Sequence, residues 1–123
     1  MEALEKLRYP IGRFRSPDLI DAQCISDWID TIEVFPVKIQ EMTTELSNDQ
    51  SLWRYRPEGW NIAQVVHHCA DSHLNSFIRF KLALTEHEPV IKPYHEDKWA
   101  KLVDGNITDL APSLYRRQVK RQA

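Results

Sequence analysis

Between the turn-forming run Arg56-Pro57-Glu58-Gly59 and Pro89 lies a long stretch of helical periodicity, and it limits the fold more than any other feature. Asn61 is predicted to cap this helix. Gln64 follows three residues later, in the spacing of a capping box, where each side chain satisfies an orphaned backbone N–H of the other residue. The helix is expected to run to about Glu86. A second helical region follows Asp18, with Ile25, Trp28, Ile29, Ile32, Ile39, Met42 and Leu46 spaced by three or four. Pro36 lies inside it and predicts a break or kink, since it removes a donor and crowds the preceding turn. Long helix-period segments between prolines, with only three glycines in 123 residues, favour an all-α fold in a single domain.

The remaining segments are connectors or short helices. Residues up to about Asp18 are expected to be irregular, because Pro10, Gly12 and Pro17 interrupt any periodicity. Ser47 to Ser51 reads as a polar linker and Pro89 to Pro93 as an extended connector. Tyr94 to Leu102 is expected to form a short helix anchored by Trp99, followed by a turn at Gly105-Asn106. Thr108 to Ala123 reads as a weakly amphipathic helix ending in Arg116, Arg117, Lys120 and Arg121, a solvated basic helix end rather than a phosphate or membrane contact. A net charge of -2 gives no electrostatic footprint for nucleic acid. No apolar run approaches the ~18 residues of a membrane span, and no signal-peptide core is present. Cys24 and Cys69 have neither metal-type nor redox-type spacing, so reduced thiols in a cytoplasmic protein are the simpler reading.

Three histidines fall on the central helix. At about 100° per residue, Asn61, His68, Ser72, Asn75 and Arg79 share a narrow arc. Ile62, Val65, Val66, Cys69, Phe77, Phe80 and Leu84 form a broad apolar arc beside it. A solvent face usually carries Lys and Glu, whereas this stripe is mainly Asn, Ser and His, a composition suited to a semi-enclosed cavity in a helical bundle. His68 is a candidate metal ligand, with a hydrogen-bonded interior histidine as the alternative. Asp71, three residues on, is its local partner or a second ligand. His67 points away from the stripe and reads as a surface or interface residue, the second choice for ligand. His73 lies in the apolar arc and reads as a satisfied core histidine. Arg79 either binds an anionic substrate group or pairs with Asp71, Glu96 or Asp97. His87 and His95 flank Pro89 and Pro93 and read as solvated, with His95 able to near the site if the connector folds back. Cys69 reads as core packing.

Three segments together carry a resemblance: Leu7-Arg-Tyr-Pro-Ile-Gly12; Tyr55-Arg-Pro-Glu-Gly-Trp60, leading into Val65-Val-His-His-Cys-Ala-Asp-Ser-His73 and Ile78-Arg-Phe-Lys-Leu-Ala-Leu-Thr-Glu86; and Ile91-Lys-Pro-Tyr-His-Glu-Asp-Lys-Trp-Ala-Lys-Leu102. Over about residues 7 to 102 the chain resembles the YfiT-type metal-dependent hydrolases of the DinB-like superfamily. The resemblance implies a four-helix bundle with one divalent metal held by three histidines, one from the histidine pair and two from an H-x-x-x-H on the last helix. Carried onto this chain, the first ligand is His67 or His68. The helical wheel favours His68, as does its position eight residues after Trp60, where the wider superfamily places its histidine. Metal-bound water is the implied nucleophile; other superfamily members imply transfer of a low-molecular-weight thiol instead.

After Leu102 the resemblance fades, and Ser113-Leu-Tyr-Arg-Arg-Gln-Val-Lys-Arg-Gln-Ala123 lacks the H-x-x-x-H. The expectation is therefore an incomplete, C-terminally truncated DinB-like bundle of about three helices with the last helix missing. His68 is the expected metal ligand, and Asp71, Asn75 and Arg79 are candidates for orienting metal or substrate. Zn is the default ion and Ni the alternative, one per subunit if the site is complete. A small-molecule substrate and a possible homodimer complete the reading. The rival is a metal-free remnant with an exposed apolar seam and a tendency to self-associate.

Overall fold

The computed structural model describes residues 2–114, and the basic cluster at Arg116 to Arg121 lies outside them. The first helix, α1 (Glu2–Arg8), occupies a segment expected to be irregular. Pro10 and Gly12 stop a helix from continuing past them but do not forbid one before them. Glu2 and Glu5 in the first turn and Lys6 and Arg8 in the last match the helix dipole. Arg13 returns to Glu5 at 2.8 Å and lies 4.2 Å over the Tyr9 ring, folding the lead-in back on α1.

Helix α2 (Ala22–Thr43) starts where Asp21 accepts a hydrogen bond from the Cys24 N–H at 2.8 Å. It passes through Pro36 without ending, so of the expected break or kink the break does not occur. A proline in a helix removes its own backbone bond, and here the helix retains enough bonds on both sides to continue. A one-turn helix, α3 (Asn48–Ser51), replaces the expected polar linker. Its cause is a capping box that the sequence spells out: the Gln50 N–H donates to Ser47 Oγ at 3.1 Å and the Ser47 N–H to Gln50 Oε1 at 2.9 Å.

The turn before the central helix forms as expected. Glu58 adopts a positive φ of 61°, and the Gly59 N–H donates to the Arg56 carbonyl at 3.1 Å. That reversal brings Asn61 beside Arg54 in an isolated antiparallel bridge and delivers it to the N-cap of α4 (Ile62–Thr85). The predicted box is complete: the Gln64 N–H donates to Asn61 Oδ1 at 2.8 Å and the Asn61 N–H to Gln64 Oε1 at 3.0 Å. After the C-cap at Glu86 the chain bends through residues 86–88, with Glu88 at a positive φ of 47°, runs without regular structure to α5 (Glu96–Ala100), and then forms a 3-10 turn (Val103–Gly105). Residues 111–114 are helical. Among the described residues the only β-structure is the isolated bridge, so the fold is all-α as expected.

Helix α4 is the hub, with α3, α5 and the 3-10 turn packed on it. The buried apolar side chains are few and mostly small: Ala63, Val66 and Ala70 of α4 with Ile39 and Ala100. Small side chains let backbone come close, and Gly105 shows how close. A Cβ there would lie 2.5 Å from the Trp99 carbonyl oxygen. Helix α2 meets α4 where Phe35 stacks on His73 with ring centroids 5.6 Å apart. Beyond that contact both long helices present apolar side chains to solvent, including Ile29 and Ile32 of α2 and Phe77, Phe80 and Leu84 of α4. An apolar seam is therefore exposed among the described residues.

Candidate functional site

The polar stripe of α4 faces a strap formed by residues 92–97, and each contact starts from a stripe residue or its neighbour. At the C-terminal end, Arg79 donates to the Lys92 carbonyl oxygen at 3.0 Å. In the middle, the Ser72 side chain shares a hydrogen bond with the Tyr94 hydroxyl. Near the N-terminal end, the Trp60 indole N–H donates to Asp97 Oδ1 at 3.1 Å. The connector does fold back, but its His95 stays exposed at the N-cap of α5, as does His87 further up the chain.

His68 sits beneath this strap, half-buried. The Trp60 ring packs against its imidazole with centroids 4.8 Å apart and planes tilted by 58°. Burial pushes the His68 pKa below its ordinary value, and this outweighs the opposing attraction of Asp71, Glu96 and Asp97. The imidazole is therefore neutral at pH 7, with a lone pair available to a Lewis acid or a proton. Tyr94 is displaced the other way. Burial, followed by Glu96 and Asp71, raises its pKa and keeps the hydroxyl protonated. Its ring packs on Trp99 at 4.5 Å, which ties the strap to α5.

The other anticipated site residues fall around this centre. Asp71 contributes its charge to both His68 and Tyr94. Asn75 turns its amide Nδ2 back onto the Asp71 carbonyl at 2.8 Å, which leaves its side-chain oxygen as the group able to accept from a ligand. Arg79 keeps further guanidinium donors besides the one on Lys92. Asn61, the first residue of the stripe, is buried and donates to Asn106 Oδ1 at 3.1 Å, so it serves architecture rather than the site.

His67 is the correction. The sequence reads it as a surface or interface residue, yet it is 3% exposed and packed within the chain itself. Its Nδ1 lies 2.6 Å from Ser113 Oγ and its Nε2 lies 2.9 Å from the Ile107 carbonyl oxygen. A carbonyl can only accept, so Nε2 carries the proton and, in the neutral ring, Nδ1 accepts from the Ser113 hydroxyl. Both nitrogens are engaged, which leaves the ring no free lone pair to offer an ion. The wheel failed here because it treats one direction as the core, whereas residues 107–113 cover α4 on a second side. His73 stacks on Phe35 but is half-buried, so it packs against α2 at the margin of the core rather than inside it.

Trp60, Tyr94 and Asp97 complete the centre together with Ser72 of the stripe, and sequence periodicity singled out none of those three as a site residue. Trp60 and Asp97 are 37 positions apart, beyond any helical spacing. Among the described residues no three His, Cys, Asp or Glu side chains gather closely enough to hold a metal ion. The described residues thus do not by themselves fit a three-histidine centre.

Comparison with known proteins places these features in context. Residues 33–123 match the family model of the DinB superfamily. Over 104 residues the chain is 47% identical to a protein of Bacillus mycoides (strain KBAB4) and 48% identical to one of Bacillus cereus (strain B4264), both named "putative metal-dependent hydrolase". Those matches span 85% of this chain but only 60% of each relative's length. In structure the chain is similar to YfiT from Bacillus subtilis, described as "a probable metal-dependent hydrolase with an unusual four-helix bundle topology". The TM-score is 0.88 at 40% identity, covering 95% of this chain and 67% of that one.

Proposed function

The chain belongs to the DinB superfamily, and from that premise we propose that it supplies His68 to a divalent-metal centre that hydrolyses a small molecule. The observation that carries this reading is the state of His68. Its imidazole is kept neutral by burial although three carboxylates act on it, and an aromatic wall fixes one side. A metal ligand must be deprotonated, so a depressed histidine pKa favours coordination at neutral pH. The names of the relatives support a divalent metal, with Zn the first ion to test and Ni the second. When bound, such an ion supplies the Lewis acidity that activates water for hydrolysis.

In this reading further metal donors join His68 from elsewhere, a second copy of the chain among them, since no three His, Cys, Asp or Glu side chains gather closely enough among the described residues to hold an ion. This chain's own groups have narrower roles. Asp71 biases the charge around His68, Tyr94 offers a protonated hydroxyl, and Arg79 offers donors to an anionic portion of the substrate.

Metal analysis of the purified protein, with His68→Ala and His67→Ala alongside, tests the proposal. Bound Zn or Ni in the parent and in folded His67→Ala, but not in His68→Ala, is the expected result. Metal-free parent protein after incubation with either ion would overturn it. The exposed apolar seam favours a second reading, a metal-free domain that self-associates. Metal-free, concentration-dependent oligomers by light scattering are its signature. Turnover that appears only when a low-molecular-weight thiol is added would assign S-transfer in place of hydrolysis.

A further inference from the structure

We infer that Trp60 is a positioning residue for His68, held in place by Asp97. The inference rests on the proposed role of His68, but its geometry is independent of any ion. A half-buried imidazole packed on one side by an indole has fewer rotamers open to it than an exposed one. Centroids 4.8 Å apart at a 58° tilt fall within the range where aromatic rings attract one another. The indole itself needs an anchor, because Trp60 precedes the N-cap of α4 and is not part of the helix. Asp97, in the first turn of α5, provides it through the 3.1 Å bond from the indole N–H.

Sequence distance is what makes this arrangement informative. Trp60 enters from the turn before α4, and Asp97 enters from the helix that follows the strap. The bond between them closes a loop of chain around His68, with the Ser72–Tyr94 and Arg79–Lys92 contacts stitching the same loop further along α4. Asp97 also acts on the imidazole by charge, so two effects of one carboxylate overlap at His68: an acceptor for Trp60 and a negative field. Substitutions can separate them. Asp97→Asn keeps an oxygen acceptor and removes the charge. Asp97→Ala removes both. Trp60→Phe keeps a ring and removes the donor.

The test is NMR on the metal-free full chain, following nuclear Overhauser contacts between the His68 and Trp60 rings and the Trp60 indole N–H resonance, with circular dichroism as the folding control. Asp97→Asn is expected to retain the ring contacts and the hydrogen-bonded indole signal. Asp97→Ala is expected to lose both. In Trp60→Phe, contacts between the new ring and His68 are expected to be lost while helix content is retained. Ring contacts in Asp97→Ala equal to those of the parent would overturn the inference, as would their loss in Asp97→Asn. Neither result involves bound metal, so absence of metal would count against the proposed function alone.

Discussion

The Oγ of Ser113 lies 2.6 Å from Nδ1 of His67, and the two side chains are 4% and 3% exposed. With Nε2 donating to the Ile107 carbonyl, the imidazole is a two-ended brace between α4 and the chain that crosses it. His67 and His68 are adjacent in sequence yet do different work, one joining segments and the other facing the strap.

Removing one end of that brace should cost stability without disturbing His68. Ser113→Ala leaves a buried ring nitrogen without its donor, which costs about 1–3 kcal/mol. His67→Ala strands both Ser113 and the Ile107 carbonyl and leaves a cavity, so a loss at or above the upper end of that range is expected. Urea denaturation of both variants measures it. Unchanged midpoints would show that the brace contributes nothing.

The cap of α4 is tied into the same architecture. Asn61 serves the Gln64 N–H, and its Nδ2 reaches Asn106 across the fold. Gln64 in turn donates from Nε2 to the Ala100 carbonyl at 3.0 Å. Asn61→Ala therefore loses more than a surface cap, about 2 kcal/mol where an ordinary N-cap costs about 1. Asn61→Ser, which keeps a capping oxygen but is too short to reach Asn106, should fall between. Thermal denaturation of the pair distinguishes cap from cross-link.

Gly105 makes a steric prediction. A methyl group there meets the Trp99 carbonyl at 2.5 Å and Ala100 backbone atoms at 3.1 Å, and backbone cannot step aside as a flexible side chain can. Gly105→Ala is expected to destabilise the domain by about 1–3 kcal/mol through forced displacement of α5. Because α5 carries Asp97, the same variant should weaken the indole N–H signal of Trp60. An alanine variant as stable as the parent would mean that the 3-10 turn shifts freely.

What could be read from the sequence was local. The Asn61/Gln64 box, the end of α4 near Glu86 and the Arg56–Gly59 turn all follow from residues within four positions of one another, and all formed. The placement of His68, Ser72 and Arg79 on one stripe also held, because 3.6-residue periodicity is intrinsic to a helix. The failures had distant causes. Burial of His67 depends on residues 107–113, and the wall beside His68 depends on a bond between positions 60 and 97. At Pro36 the helix continues where a break was one of the two expectations, because a single missing hydrogen bond is a cost that a long helix can bear. The Ser47/Gln50 box, by contrast, is as local as that of Asn61 and Gln64, and Ser and Gln at the capping-box spacing are its signal in the sequence.

The pH dependence of stability should carry the signature of His68. Burial lowers its pKa from the ordinary 6.5, so between the folded value and about 6.5 the unfolded chain binds protons that the folded chain does not. Stability therefore rises with pH through that interval. The contribution of His68 is fully present above about 6.5, declines as pH falls toward the folded value, and changes no further below it. His68→Gln removes the group and should flatten that part of the profile. Asp71→Asn removes a carboxylate that favours the charged ring, so the His68 pKa should fall further and the interval widen. Urea denaturation at a series of pH values, alongside an NMR titration of the His68 ring, measures both. A ring titrating at or above 6.5 in the parent would mean that the three carboxylates, rather than burial, govern this imidazole.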